Sequence, residues 1–154
     1  MEIILAENHG FCYGVKRAVE MANEAANSDG KSYTLGPIIH NPQVVGRLED
    51  KGVSPVQEVS DIEEGTMIIR SHGVGPAIYE EAEEKGLHIV DATCPHVKKA
   101  QQDAKSVIED GMTLVILGEK NHPEVKSINL WANNEGIIIE DEESAEKLQI
   151  VEKM

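Results

Sequence analysis

Aromatic side chains are scarce in this sequence. One Trp, one Phe and three Tyr make up 3% of its 154 residues. The core is therefore expected to be aliphatic, and stacking platforms for single-stranded nucleic acid are not expected. Positive charge is scarce as well: 14 Lys and Arg stand against 28 Asp and Glu, a formal net charge of −14. Nucleic-acid affinity comes mainly from cations that neutralise phosphates, and no basic stripe runs along this chain. The two cysteines cannot build the disulfide framework of a small secreted domain. No apolar run approaches the roughly 20 residues of a membrane span. The opening Met1-Glu2-Ile3-Ile4-Leu5 has neither the basic nor the apolar region of a signal peptide. A cytoplasmic globular protein with no nucleic-acid or membrane partner is the expectation. The apolar share of 40% is too high for a disordered chain.

What is present is alternation. Short apolar runs at Ile3–Ala6, Tyr33–Leu35, Met67–Arg70, Leu87–Val90, Thr113–Leu117 and Ile137–Glu140 read as strands. Between them, residues 14–27, 42–50, 76–85, 95–110, 123–132 and 142–148 carry apolar positions at helical spacing. Several of these helices open on Pro and close before Gly. Strand–helix alternation predicts an α/β fold with mainly parallel sheets. The continuous run Leu114–Leu117 fits a strand covered on both faces. The long helix from Pro95 is expected to carry the chain between two α/β units, with a soft boundary near residue 96. The acidic runs at 61–64, 80–84 and 140–143 read as solvated surface.

In α/β sheets ligands sit beyond the carboxyl ends of strands, in the loops that enter helices. Five such loops here carry Cys or His with Gly or Pro nearby: Asn8–Gly14, Gly36–Pro42, Ser71–Gly75, Asp91–Pro95 and Gly118–Glu124. They can converge on one mouth. Cys12 and Cys94 are too far apart in sequence to form a CxxC chelate. Each precedes a helix, where negative charge is favoured, and a thiolate is what a metal or a nucleophilic mechanism requires. Inert thiols remain the plainer reading for any one cysteine, and a disulfide is disfavoured in the cytosol.

A lone loop histidine is ordinarily structural or merely exposed. His40, His72 and His122, however, share a context of a strand before, a helix after and a Gly or Pro close by. Imidazoles beside helix N-termini make a good anion pocket. His9, His88 and His96 lack that context or alternate within a strand. Glu124 follows His122 by two residues across Pro123. It reads either as a proton relay to a ligand held by His122 or as an acid favourably placed at a helix start. No GxGxxG, GxxxxGK[ST] or GxSxG occurs, so nucleotide and serine-hydrolase readings lack support.

Taken together, Gly-Phe-Cys-Tyr-Gly-Val (10–15), His-Asn-Pro-Gln-Val-Val (40–45), Arg-Ser-His-Gly-Val (70–74), Asp-Ala-Thr-Cys-Pro (91–95) and His-Pro-Glu-Val (122–125) resemble the motifs of the 4-hydroxy-3-methylbut-2-enyl diphosphate reductases. These are the iron–sulfur enzymes that end the methylerythritol phosphate route to isoprenoids. Any one segment is weak, but five in order are specific.

The resemblance implies a protein of three α/β lobes around a central 4Fe-4S cluster held by three cysteines, with one iron open to substrate. Residues 1–95 would form the first lobe and 96–154 an incomplete second, with the third lobe and its cysteine absent. By matching motifs, Cys12 and Cys94 would be cluster ligands, His40, His72 and His122 would contact the diphosphate of an allylic substrate, and Glu124 would belong to a proton relay. The implied reaction is reductive dehydroxylation to isopentenyl and dimethylallyl diphosphate. The implied partners are an electron donor such as ferredoxin or flavodoxin and the missing C-terminal portion. The family's enzymes are roughly twice this length, so the chain alone is expected to lack turnover. The alternatives are a diphosphate-binding module without a cluster and a zinc site built on the two cysteines and a nearby histidine.

Overall fold

The computed structural model describes residues 2–7, 9–28 and 30–148. Helix α1 spans Tyr13–Ala26, strand β1 Ser32–Leu35, α2 Pro42–Glu49 and β2 Val53–Val56. A short 3-10 helix at Val59–Asp61 leads to β3 (Thr66–Ile69), α3 (Pro76–Glu84), β4 (His88–Asp91) and α4 (Pro95–Glu109). Strand β5 (Val115–Leu117), α5 (Pro123–Trp131), β6 (Ile137–Ile139) and α6 (Glu142–Glu146) follow. The α/β expectation holds. Strands β1–β4 form one sheet in the order β2-β1-β3-β4, β5 and β6 form a second, and every pairing is parallel.

Alternation along β3 shows why the first sheet is covered twice. Ile68 packs with Ala18, Ala22 and Ala25 of α1 and Leu48 of α2. Its neighbours Met67 and Ile69 pack on the other face with Val59, Ile62 and Ala82 of α3. Successive side chains on a strand point to opposite faces, so one buried strand serves both layers, and all three residues are fully buried. The alanines of α1, spaced one helical turn apart, let that helix lie close on the sheet. As the scarcity of aromatics predicted, both clusters are mainly aliphatic.

Strand order creates the place where a ligand can bind. From β1 the chain passes to β2 on one side, then returns to β3 on the other side of β1. Accordingly, the loop after β1 enters α2 on one face and the loop after β3 enters α3 on the opposite face. The loops part there and leave a crevice at the strand ends, the usual ligand position in open α/β sheets.

Three expectations need correction. Ile3–Ala6 forms no strand: Ile3, Ile4 and Leu5 are 75%, 82% and 76% exposed, and no ladder includes them. An apolar run becomes a strand only where an edge is offered to it, and neither edge of the first sheet takes this segment. Strand β5 is not buried on both faces. Ile116 is buried, whereas Val115 and Leu117 are exposed, because a two-stranded sheet packed on one side leaves alternate residues uncovered. Finally, β2, with Pro55 inside it, had no expected counterpart. It sits at the sheet edge, the position where a strand tolerates proline.

Candidate functional site

The sheet continues as a series of hydrogen bonds past the strand ends, and these draw the loops together. Ala92 N–H donates to Ile69 O at 3.0 Å, Cys94 N–H to Ser71 O at 2.9 Å, and Ser71 N–H to Ile38 O at 3.3 Å. The Ser71 hydroxyl also donates to Ile38 O at 3.3 Å. The loops that carry His40, His72 and Cys94 are thus held at strand spacing beyond the strands themselves. Asn41 fixes the exit of the first loop, because its side chain caps α2 by accepting from Val44 N–H at 3.1 Å.

Helix α5 brings in the third histidine. The Ser127 hydroxyl, buried on this helix, lies 2.7 Å from His72 O and 2.9 Å from Glu124 O. It accepts from Gln101 Nε2 of α4 at 3.3 Å. Further along the helix, Trp131 Nε1–H donates to Val74 O at 2.9 Å. These contacts dock α5 on the turn after β3. The three imidazoles consequently meet, with ring centroids 4.4 Å apart for His40 and His72, 5.8 Å for His72 and His122, and 6.0 Å for His40 and His122.

His122 is also the N-cap of α5, and its Nδ1 accepts from Glu124 N–H at 3.3 Å. That bond places the proton of the neutral ring on Nε2, which leaves a donor free. His72 has its pKa pushed down to about 4 by burial and by the positive potential of His40, Arg70 and His122. Its buried Nδ1 has no hydrogen-bond partner. A half-buried, neutral imidazole flanked by two others and an arginine is a site short of negative charge. An anion entering it gains donors from several directions.

The two cysteines cap helices: Cys12 is the N-cap of α1 and Cys94 of α4. Both are free thiols, one exposed and one partly buried. They share one end of α1, because a Cβ placed on Gly14 would lie 2.5 Å from Cys94 Sγ. Only a glycine in the first turn of α1 lets that sulfur sit there. Arg17, one turn further on, donates to Thr93 O at 3.1 Å and to Asp91 O at 3.5 Å, which fixes α1 against the loop bearing Cys94. As a metal site the donor set is short. Two thiols are one short of the three that the resemblance implies for a cluster, and among the described residues no three His, Cys, Asp or Glu side chains are grouped to hold a metal ion.

The sequence matches the family described as LytB protein over residues 3–154. The chain belongs to the LytB family. It is 50% identical over 154 residues to the 4-hydroxy-3-methylbut-2-enyl diphosphate reductase of Geobacter metallireducens, covering 100% of this chain and 55% of that protein. It is 48% identical over 159 residues to the enzyme of the same name from Caldanaerobacter subterraneus, covering 99% and 55%. Among solved structures, one described as (E)-4-hydroxy-3-methyl-but-2-enyl diphosphate reductase, the terminal enzyme of the non-mevalonate pathway, matches with TM-score 0.81 and 47% identity, covering 94% of this chain and 53% of that one. The Plasmodium falciparum reductase matches with TM-score 0.89 and 31% identity, covering 94% and 46%. This LytB chain spans about half the length of the curated relatives it matches. Among its described residues no helix is long and apolar enough to cross a membrane.

Residues that sequence reasoning did not single out as site residues belong to the same construction. Arg70 closes β3 just before Ser71 and His72, and a positive charge at the end of an otherwise apolar strand was its visible signal. Ser127, Gln101 and Arg17 left no signal in the sequence, since their role depends on which elements pack together.

Proposed function

We propose that this chain is the half of a 4-hydroxy-3-methylbut-2-enyl diphosphate reductase that receives the substrate's diphosphate and supplies two cluster thiolates. The observation that carries this reading is the convergence of His40, His72 and His122 within 6.0 Å of one another at the topological switch point of the sheet. His122 Nε2–H and the imidazoles of His40 and His72 serve as donors to the diphosphate oxygens. Glu124, beside His122 at the start of α5, passes a proton towards the bound substrate. Cys12 and Cys94 would supply two of the thiolates that hold a 4Fe-4S cluster, the remaining ligand coming from a second half of the enzyme. When bound, the cluster would supply a Lewis-acidic iron and an electron path.

The overall change is loss of the allylic hydroxyl as water. Two electrons come from a reduced ferredoxin or flavodoxin and two protons are taken up, giving isopentenyl and dimethylallyl diphosphate. Residues 1–95 and 96–154 act as a first and a partial second lobe, with α4 between their sheets. The setting is the cytoplasm, where thiols stay reduced.

The donor set supports a second reading. With two thiols only, the chain as it stands can serve as a diphosphate-binding module without a cluster. One experiment separates the two. The chain is purified and reconstituted anaerobically, and iron and sulfide are counted. Reductase activity is then assayed with a reduced viologen, with and without the C-terminal half of a relative. The first reading predicts diphosphate binding alone and turnover only with the second half. Full turnover of the isolated chain, or none in the mixture, contradicts it.

A further inference from the structure

Between the turn after β3 and α5 lies a cavity of about 300 Å³. Its walls include Arg70, Lys126, Gln57 and Ser127, and none of the three histidines lines it. No Asp or Glu lines it either, in a chain whose acidic residues outnumber the basic ones 28 to 14. A cavity with two cations and no acid in an otherwise mostly apolar and glycine lining is therefore not an average sample of this surface.

Arg70 is the unusual member. Its guanidinium is half-buried, and its Nε is buried without any hydrogen-bond partner. Among the described residues, no carboxylate pairs with it or with Lys126. A desolvated cation without an anion is costly, and proteins ordinarily place an acid beside it. This fold instead makes room for the bare guanidinium. Gly36 has a φ of +69°, and a Cβ there would lie 2.6 Å from an Arg70 terminal nitrogen, so a side chain at 36 would push that end of the arginine aside. Arg70 lines an open cavity, and among the described residues its buried Nε has no hydrogen-bond partner.

We propose that this cavity, which shares Arg70 with the histidine mouth but none of its imidazoles, binds a small phosphate-class oxyanion through the Arg70 fork and the Lys126 ammonium. A guanidinium offers two parallel donors to such an anion. Lys126 adds a mobile point charge from the rim, and Gln57 adds a neutral donor. The anion supplies the charge that the fold leaves out.

The test uses the whole chain with inorganic phosphate as the probe. The triple variant His40→Ala/His72→Gln/His122→Ala removes all three imidazoles, so any saturable binding that remains belongs to the Arg70 cavity. Binding is followed through the backbone amide resonances of Gly36 and Gly73, which line the cavity, in 15N-labelled protein. The expected result is a saturable shift in the triple variant. Adding Lys126→Gln should weaken the affinity by about fivefold and adding Arg70→Lys by about tenfold. Lys126 is exposed, so its variant stands even where an Arg70 variant fails to fold. No saturable shift in the triple variant, or an affinity unchanged by Lys126→Gln, overturns the proposal.

Discussion

The imidazoles of His40 and His72 lie 4.4 Å apart, centre to centre, although their loops leave for opposite faces of one sheet. The crossing of the chain at β1 and β3 produces that proximity. It also bears on His72, because the neighbouring His40 disfavours a proton there.

His72 should make stability depend on pH in the acid range. Its folded pKa, about 4, lies below the ordinary 6.5, so the unfolded chain binds more protons between these values. Stability from this group is complete above about pH 6.5 and declines as pH falls towards 4. Urea unfolding at a series of pH values should show that decline, and His72→Gln should flatten it. An unchanged slope in the variant would assign the acid sensitivity to other groups.

Binding of an anion should reverse the same shift. A diphosphate beside His72 favours the imidazolium, so the complex takes up protons. Calorimetric titration with inorganic pyrophosphate, in buffers of different ionisation enthalpy, should show net proton uptake. Affinity should rise from pH ~7.5 to ~5.5. Proton release on binding would contradict this account of the site.

Gly14→Ala should disturb Cys94. The new Cβ would meet Sγ at 2.5 Å, so the sulfur or the helix must move. Overpacking of this kind costs about 1–3 kcal/mol, offset by about 1 kcal/mol from helix propensity. Thermal melts should show a net loss, and the rate at which Cys94 reacts with a thiol reagent should change. Gly46→Ala, in α2 with open space around its position, provides the control and should not destabilise.

Ser127→Ala should loosen the docking of α5. It leaves Gln101 without its hydrogen-bond acceptor and His72 O without its donor, at about 1–3 kcal/mol. Since His122 and Glu124 ride on α5, pyrophosphate affinity should fall together with the melting temperature. Ser127→Thr, which keeps the hydroxyl, should restore part of the affinity.

Much of the fold was legible in the sequence because its signals are local. Pro42, Pro76, Pro95 and Pro123 each open a helix, and apolar runs mark β1, β3 and β4. The histidine trio was legible for a related reason: in a parallel α/β fold, every loop after a strand lies at the same end of the sheet. What could not be read depends on partners. Ile3–Ala6 has the composition of a strand, but pairing decides, and among the described residues no strand pairs with it. Val115 and Leu117 are as apolar as Ile116, but only one face of β5 is covered. Ser127 and Arg70 acquire their meaning from α4, α5 and Gly36, which are remote from them in sequence or in fold layer.

The central claim is that three histidines from separate loops act as one receptor for a diphosphate. Titrating the chain with inorganic pyrophosphate, while following the imidazole nitrogens by NMR, tests it most directly. The account predicts that the signals of His40, His72 and His122 move along a single binding curve and that His122→Ala abolishes the curve for the remaining two. Independent curves, or histidine signals that stay still while pyrophosphate binds, would contradict it.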